Sequence, residues 1–545
     1  MRRMRALTGR VVVVLAVALA GTAAAEDWPR WCGPDGRNFA RETSLPTTFV
    51  RGSTSSSSGK ADLTDARNVR WAVRLSSIVY GNPTIADGRL FVGANNGALP
   101  RGDKRFNLRK GGVLQCRDEK TGQLLWQLVI PHPEQRDLPF KTNIINYNFG
   151  VIASPAVAGE KVYIITNTGD VLCLDVRGLA NGNGGSFQDE AKYMAGPRKK
   201  PIELTAGDAD ILWRRSLWEK DHGVGIVPHD AIGSSPLVHG DLLYATTSNS
   251  VDNSHVHVPH PDAPSLIALD RHTGRLVATD NEKIGHRLWH GLWCSPNKGE
   301  VNGKTLIFFG AADGFLYAFE APESVPDKQT HLKLVWKYDC NPPRYRMRDG
   351  KVIDYYSGDR RKLRKYKDRG NKNDGKFLGP SQIIATPVFH KNRVYVSIGQ
   401  DPAHGNGIGL LHCIDATKTG DISKTGAIWT YDKIQRSIST VAIADGLIYA
   451  PDVTGTLHCL DADTGTCYWT HATRHEGWGG PLVADGKVYY NTRRSFWILA
   501  AGRKKKVLHS EPRVGSEGSP VAANGVAYVV LKGWLWALER QKPRP

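Results

Sequence analysis

The chain repeats one short pattern of apolar and polar positions along most of its length. In each copy a small residue and usually a proline lead into an apolar pair, a tight turn and an alternating apolar run. Alternation with a period of two is typical of β-strands, and Asp-Gly or Asn-Gly pairs supply the positive φ angles of tight hairpins. Eight copies occur: GNPTIADGRLFVG (81–93), SPAVAGEKVYIIT (154–166), SPLVHGDLLYATT (235–247), SPNKGEVNGKTLIFFG (295–310, a looser copy), TPVFHKNRVYVSI (386–398), STVAIADGLIYAP (439–451), GPLVADGKVYYNT (480–492) and SPVAANGVAYVVL (519–531).

Each copy continues into a second apolar run, and most then reach a third strand that carries a tryptophan: Trp126, Trp213, Trp336, Trp429 and Trp469. A unit of this kind has two apolar faces and cannot bury them alone, so neighbouring units must stack. No Trp-bearing third strand follows the last copy, whereas NVRWAVRL (68–75) resembles such a strand and belongs to no copy. We therefore predict an all-β fold, an eight-bladed β-propeller of four-stranded antiparallel blades, in which residues 69–73 pair with 534–538 and close the last blade.

The ends and insertions define the predicted organisation. Residues 1–25 combine four early arginines, an apolar stretch and three alanines at 23–25, which is the pattern of a cleaved secretory signal. Residues 26–67 form an N-terminal extended segment with a Ser-rich linker, 68–540 form the propeller, and 341–380 form a basic loop inserted in it. We predict a periplasmic or secreted protein without a transmembrane segment.

The net charge of +19 falls to +15 when the four arginines of the signal are removed. Residues 341–376 carry thirteen Lys and Arg against five Asp, about half of that excess. Two interpretations stay open: a solvated loop, or a landing site for an anionic cell-envelope component such as a polysaccharide or lipid head group. Nucleic acid is not an expected partner, because no aromatic ladder or recognition helix accompanies the charge.

The motif Asp-x-x-Thr-Gly-x-x-x-Trp occurs at 118–126 and at 461–469. It resembles the propeller repeat of the quinoproteins, in which the tryptophan docks between blades and which is named for pyrroloquinoline quinone (PQQ). The opening DWPRWCGPDGRNFA (27–40) is similar to the start of secreted bacterial propellers of this type. The resemblance implies either a quinone-dependent dehydrogenase or a non-catalytic scaffold such as the outer-membrane assembly lipoprotein BamB.

The features that the resemblance implies for a dehydrogenase are mostly missing. In such dehydrogenases the quinone often lies against a disulfide between adjacent cysteines, but no two of the eight cysteines here are adjacent. Many also carry a haem domain with a Cys-x-x-Cys-His motif, which is absent from this sequence. Four cysteines occupy one repeat position and are predicted to be buried core residues: Cys116, Cys173, Cys413 and Cys459. The remaining cysteines are Cys32, Cys294, Cys340 and Cys467. If the chain is exported, one or two disulfides can form among them, and the sequence does not determine which.

Loop length predicts where function lies. The turns after the first strand of each copy are minimal, whereas nearly all the long segments fall on the opposite face, so we expect a loop-walled funnel there. Histidines and carboxylates that converge from such loops can bind a transition metal or act as acid and base, and tryptophans can stack on a ligand. The candidate ligand-binding residues are His229, Asp230, His257, Asp401, His404 and Trp478. We expect the histidines and carboxylates among them near the propeller axis.

Two functions follow from these observations. The first is an exported, non-catalytic scaffold that binds a protein, a polysaccharide or a small ligand on its long-loop face. The alternative is an oxidoreductase, dependent on PQQ or on a divalent metal, with its centre in the funnel. The sequence assigns no catalytic residue, and it leaves PQQ or a divalent metal open as a cofactor.

Overall fold

The computed structural model describes residues 26–55, 59–76, 79–100, 103–254, 257–348, 351–352, 380–401 and 408–541. Within these ranges the chain folds into eight antiparallel four-stranded sheets, which confirms the eight-bladed β-propeller. In every blade two residues join the first strand to the second, so one face of the ring carries only tight turns.

The strands of the eight blades follow one another along the chain. From first strand to last they are Thr84–Ala86, Arg89–Asn95, Gly111–Asp118 and Leu124–Pro131 (blade one); Ala156–Ala158, Lys161–Ile165, Asp170–Asp175 and Ile211–Ser216 (two); Leu237–His239, Leu242–Thr246, Leu266–Asp270 and Leu276–Thr279 (three); Asn297–Val301, Lys304–Gly310, Phe315–Glu320 and Lys333–Asp339 (four); Val388–His390, Arg393–Ile398, Leu410–Asp415 and Ala427–Tyr431 (five); Ala442–Ala444, Leu447–Pro451, Thr456–Asp461 and Cys467–Ala472 (six); Leu482–Ala484, Lys487–Asn491, Ser495–Ala500 and Val507–Pro512 (seven); Val521–Ala523, Val526–Leu531, Trp534–Glu539 and Val69–Arg74 (eight).

The ring closes as predicted. The strand Val69–Arg74 pairs antiparallel with Trp534–Glu539, with Trp71 opposite Ala537 and Val73 opposite Leu535. The outer strand of blade eight thus comes from the N-terminal part of the chain, and this blade keeps its full set of four strands.

The remaining elements are short and lie outside the four-stranded blades. Short strands Phe39–Ala40, Thr330–His331 and Gly420–Asp421 add in parallel to blades seven, three and four. Two small hairpins pair Ser53–Ser55 with Lys60–Asp62, and Met347–Arg348 with Lys351–Val352. The helices are the α-helix Glu190–Ala195 and the 3-10 turns Asn96–Ala98, Gln135–Asp137, Ile144–Asn146, Gly178–Asn181, Lys220–His222, Ile284–Arg287 and Pro343–Tyr345. In the described ranges no helix is both long and apolar enough to cross a membrane.

Tryptophans join successive blades. The outer-strand indole donates a hydrogen bond to a carbonyl oxygen of the next blade, as in Trp126 to Val176 (2.9 Å) and Trp336 to Ala416 (3.1 Å). The same contact recurs at Trp71, Trp213, Trp429 and Trp469. A satisfied indole N–H and a large apolar ring together make this contact a strong link between blades.

All eight cysteines are free thiols. Cys116, Cys173, Cys413 and Cys459 are fully buried, as expected, and each pairs across the strand with a docking tryptophan. A small side chain is required there because the indole fills the neighbouring space. The structure contains none of the disulfides that the sequence left open among Cys32, Cys294, Cys340 and Cys467.

Glycines of the repeat turns give the first testable prediction. Gly465 has a φ of +73°, and an added Cβ would lie 2.8 Å from the Trp429 ring. Gly446 has a similar φ of +72° but open space around it. Gly446→Ala should therefore cost only the conformational penalty, roughly 1–2 kcal/mol, whereas Gly465→Ala should cost roughly 1–3 kcal/mol more through overpacking. Urea unfolding of the two variants checks this, and equal losses would contradict the docking role of Trp429.

Several predicted segments lie wholly or partly outside the described residues. The signal at 1–25 lies outside them, and so do residues 353–379 of the basic loop and 56–58 of the Ser-rich linker. The N-terminal segment contacts the ring through the bridge between Trp28 and Ile85 and through the Asp485 carboxylate, which accepts a 2.8 Å bond from Leu45 N–H.

Candidate ligand-binding funnel

A cavity of about 290 Å³ lies on the axis of the ring, and every blade contributes to it. We call this cavity the funnel. Its wall includes, from each blade, the residue three positions before the proline that begins the repeat, or before its equivalent. These residues are Tyr80, Ile152, Gly233, Trp293, Ile384, Ile438, Trp478 and Glu517. All of them precede an innermost strand and so lie on the face opposite the tight turns.

The N-terminal segment closes the funnel from the opposite side. Trp28 pairs with Ile85 of blade one, Pro29 accepts a 2.8 Å hydrogen bond from blade two, and Phe39 pairs with Val483 of blade seven. Between these points the Trp31 indole lines the funnel and donates a 2.7 Å bond to the Thr386 hydroxyl of blade five. The segment thus crosses the channel between the innermost strands, and Trp31 forms the floor of the funnel.

Much of the wall is aromatic and already packed. The Tyr80 ring lies 5.4 Å from Phe149, edge to face, and 5.9 Å from Trp478. Tyr147 stacks on Phe149 at 5.0 Å, and the Trp293 indole donates a 2.9 Å bond to the Ala231 carbonyl. Ring centroids at these separations attract one another, so the wall is formed before any ligand arrives.

The charges that line the funnel are negative. Asp230, Asp401 and Glu517 lie on its wall, and none of the described lining residues is Lys or Arg. Burial raises the pKa of Tyr80, and the nearby carboxylates of Glu517 and Asp401 raise it further. Burial likewise raises the pKa of Tyr147, with Asp230 and Asp401 adding to the effect. The phenols therefore stay neutral, and the carboxylates set the field inside the funnel.

Two arginines lie close by and moderate this field. Arg493 packs 5.2 Å above the Trp478 ring and forms ion pairs with Glu476 (2.9 Å) and Glu517 (3.1 Å). Burial lowers the pKa of Arg436, and the carboxylate of Asp401 opposes that shift. Asp401 and Glu517 thus have basic neighbours outside the wall, whereas the wall itself keeps its negative sign.

A buried cluster stands behind one part of the wall. His229 Nε2 lies 3.4 Å from Asp230 Oδ1, and His290 Nε2 lies 3.6 Å from Asp230 Oδ2. Both histidines are 1% exposed and Asp230 is 7% exposed. The His290 ring also packs against Trp293 at 5.1 Å, which connects the cluster to the funnel.

Asn143 holds this cluster in place. Its Oδ1 accepts a 2.7 Å bond from the Asp230 backbone, and its Nδ2 lies within hydrogen-bond reach of Asp230 Oδ1 and 3.1 Å from His229 Nε2. Thr142 donates a 2.6 Å bond to the Pro228 carbonyl and so ties the two loops together. These contacts support the left-handed φ of +60° at Asp230, a conformation that is uncommon outside glycine and concentrates at functional sites.

The structure brings together some of the sequence-predicted residues. Asp230, Asp401 and Trp478 line the funnel, and His229 lies buried beside Asp230. His257 is exposed and does not belong to the funnel lining. His404 lies outside the described residues. Ligand binding by this set stays a prediction.

Sequence reasoning missed four aromatic residues of the wall and the floor. Tyr147 and Phe149 lie in a long loop without a distinguishing motif, and Trp31 reaches the axis only because the N-terminal segment crosses the channel. Tyr80 was missed too, although the repeat contains its signal. It occupies the same position relative to its proline as Trp293 and Trp478. Aligning the eight copies on that proline would have identified it.

Fold and repeat together define a propeller of the PQQ-like repeat class. The family model described as outer membrane protein assembly factor BamB matches residues 41–178 and 408–542, which amount to half of the chain. The chain belongs to this family. No curated protein matches it.

Solved structures of similar fold include both kinds of relative that the sequence suggests. A europium-containing methanol dehydrogenase is 13% identical, with 93% of this chain and 90% of that chain covered and a TM-score of 0.55. BamB from Moraxella catarrhalis is 12% identical, with 86% and 98% covered and a TM-score of 0.46. Quinohemoprotein alcohol dehydrogenase from Comamonas testosteroni is 12% identical, with 95% and 81% covered and a TM-score of 0.43. At these identities the likeness concerns the fold alone.

Proposed function

We propose that this protein is a non-catalytic binding propeller that holds a small organic cation in the funnel. The observation that carries the proposal is the composition of the described wall: packed aromatic rings, three carboxylates and no lysine or arginine. Aromatic faces attract cations through the ring quadrupole, by about 0.5–2 kcal/mol per contact, and most strongly where water is excluded. Asp230 and Asp401 supply the long-range attraction that such a ligand needs on its way in, while Glu517 is already paired with Arg493.

The shape of the funnel favours a small ligand. A blind cavity of about 290 Å³ lies near the lower end of the range typical of small-molecule sites. Because Trp31 forms its floor, a ligand enters from the long-loop face and rests on an indole. Binding of this kind requires recognition only, and the aromatic and acidic groups of the wall are sufficient for it.

The described wall does not fit PQQ, the cofactor for which the repeat is named. PQQ carries several carboxylates, and the funnel would place them against Asp230, Asp401 and Glu517 without a basic residue in the described lining. Like charges a few ångströms apart repel each other strongly where water is excluded. All eight cysteines are free and none is adjacent to another. We therefore do not propose the quinone-dependent oxidoreductase.

The proposal predicts charge-selective binding that depends on Trp478. Choline and its neutral isostere 3,3-dimethylbutanol are matched probes, because they differ chiefly in charge. Calorimetry should show that choline binds at least 10-fold more tightly, and Trp478→Ala should weaken choline by roughly 10-fold, about 1.4 kcal/mol. Trp497→Ala, at a tryptophan outside the funnel lining, should leave choline binding unchanged.

Two results would reject the proposal. One is equal affinity for choline and dimethylbutanol, which would show that the positive charge of the ligand does not contribute to binding. The other is the absence of binding by every cation of a small panel (choline, benzylamine and putrescine), tested against protein whose circular dichroism shows it to be folded. Loss of choline binding in Trp497→Ala as well would count against the funnel as the place where choline binds.

A second candidate is a protein partner, and the observation that favours it is the family, whose description names outer membrane protein assembly. A partner could dock on the loops around the mouth of the funnel. Competition separates the candidates, because a partner seated there should be displaced or excluded by a bound choline. A polysaccharide or lipid partner, and the exported location, stay predictions, since residues 1–25 and 353–379 lie outside the described part of the chain.

A further inference from the structure

We propose that His229, Asp230 and His290 form a binding site for one divalent first-row transition metal ion in the wall of the funnel. Their ligand atoms all lie within 4.8 Å of one another. The inference rests on the geometry of this cluster, and since a bound ion would cancel the charge of Asp230, choline binding is measured on chelator-treated protein so that the two proposals are tested separately. It could hold even if the funnel binds no cation such as choline.

The two histidine-to-carboxylate spacings of the cluster match those of metal ligands. Two donor atoms about 2.1 Å from a tetrahedral Zn²⁺ are separated by roughly 3.4 Å, whereas an N–H···O hydrogen bond spans about 2.7–3.2 Å. The two imidazole-to-carboxylate distances are 3.4 and 3.6 Å. Asp230 thus presents one oxygen towards each histidine at a separation that a shared cation would impose.

A buried His–Asp pair elsewhere in the chain shows, for comparison, the shorter spacing of a hydrogen bond. In blade six, His458 Nε2 lies 3.2 Å from Asp452 Oδ2, and the Tyr431 hydroxyl lies 3.2 Å from the Nδ1 of the same ring. His458 and Asp452 are about as buried as the cluster, at 4% and 1% exposure. They form an ordinary hydrogen-bonded pair without a third ligand within the described residues.

The contacts of Asn143 prepare the site for a cation. The Asp230 backbone N–H bonds to Asn143 Oδ1, so the Nδ2 of the amide must face His229 Nε2 and Asp230 Oδ1. The Asn143 amide can donate to His229 Nε2 when that imidazole is neutral, which is also the form that binds a metal. On metal binding, Nε2 exchanges the amide for the ion, and Asn143 keeps its bond to Asp230 as the outer partner that orients a metal ligand.

The donor set selects the class of metal. Imidazole suits Zn²⁺, Co²⁺, Fe²⁺, Ni²⁺ and Cu²⁺, whereas Ca²⁺, Mg²⁺ and the lanthanides prefer oxygen ligands. Two imidazoles and one carboxylate leave coordination positions for solvent or a ligand. Because Asp230 itself lines the funnel, a ligand in the funnel can reach an ion held there.

Cobalt titration of the full chain tests the site. After treatment with a chelator, the protein should bind one Co²⁺ per chain and develop visible absorption bands of a site with nitrogen and oxygen ligands. Asp230→Asn keeps the shape and tolerates the left-handed φ, and His290→Gln keeps much of the volume. Each should weaken Co²⁺ by at least 100-fold, while His458→Gln, the matched buried control, should bind as the parent does.

The outcomes are decisive in both directions. Stoichiometric Co²⁺ binding that is lost in Asp230→Asn and His290→Gln, and kept in His458→Gln, supports the site, provided that thermal melting shows the variants to be folded. If a substitution unfolds the protein, Asn143→Ala provides a milder variant with an expected loss of about 10–100-fold. Failure of the parent to bind Co²⁺ or Zn²⁺ at one per chain, a preference for Ca²⁺, or equal binding by all variants would overturn the proposal.

Discussion

Removal of residues 26–75 should abolish the cooperative unfolding transition of the propeller. The segment contains the closing strand and a set of side chains that the rest of the ring buries: Trp28, Leu45, Phe49, Val69, Trp71 and Leu75. Each such side chain contributes roughly 1.5–3 kcal/mol, so their combined loss matches or exceeds the stability of about 5–15 kcal/mol that folded proteins have. The deletion also leaves Trp534–Glu539 as an unpaired edge. Thermal melting followed by circular dichroism measures the effect.

A matched variant isolates the closing strand within this loss. Gln541 N–H bonds to Asn68 Oδ1 at 3.0 Å, and Asn68 N–H bonds to Gln541 Oε1 at 3.1 Å, so the two ends are adjacent. Residues 68–75 can therefore be placed after Gln541 through a short turn, in a chain that still lacks 26–67. This variant should recover a cooperative transition. If the two chains melt alike, the closure argument is wrong.

Trp336→Ala should destabilise the ring by about 3–5 kcal/mol, the usual cost of truncating a fully buried tryptophan. The Trp336 side chain is 0% exposed, and its indole donates a 3.1 Å bond to Ala416 of the next blade. The change leaves a void between blades four and five and a carbonyl oxygen without its donor. Chemical denaturation monitored by circular dichroism gives the free energy of unfolding.

Trp336→Phe separates packing from hydrogen bonding in the same experiment. It keeps an aromatic ring and loses the N–H donor, so we expect a clearly smaller loss than for alanine. Ile428→Ala provides a surface control, since that side chain is 44% exposed in the strand Ala427–Tyr431. A loss below 1 kcal/mol for Trp336→Ala would show that the indole does not link the blades.

The fold could be predicted because its information is repeated. Each copy carries the same order of a small residue, an apolar pair, a tight turn and an alternating apolar run, and eight such weak signals together make one strong signal. The closing strand was identifiable as well, because Trp71 belonged to no copy and no Trp-bearing outer strand followed the last copy. Local sequence is sufficient here since each blade contacts mainly its neighbours.

The site was predictable only in part because several of its residues lie in loops outside the repeat. Asp230 and Asp401 were selected from loop length, since long loops on one face surround the axis, and Trp478 was selected as a tryptophan near the same face; all three line the funnel. His257 shows the limit of this reasoning, because a long loop also has outward positions, and its side chain is exposed. Trp31 could not be placed, because nothing in its local sequence encodes contact with strands more than 350 residues away.

The route of the N-terminal segment imposes an order on folding. Asn38 bonds to Val441 and bridges to Val483, and Glu42 accepts a bond from Gly525. These partners are made long after the segment, so residues 38–42 cannot reach them until most of the chain has been synthesised. Contacts of such sequence separation form slowly. Glu42 therefore reaches its native partner only once blade eight has been made, whereas Trp28 can already pair with Ile85 of blade one.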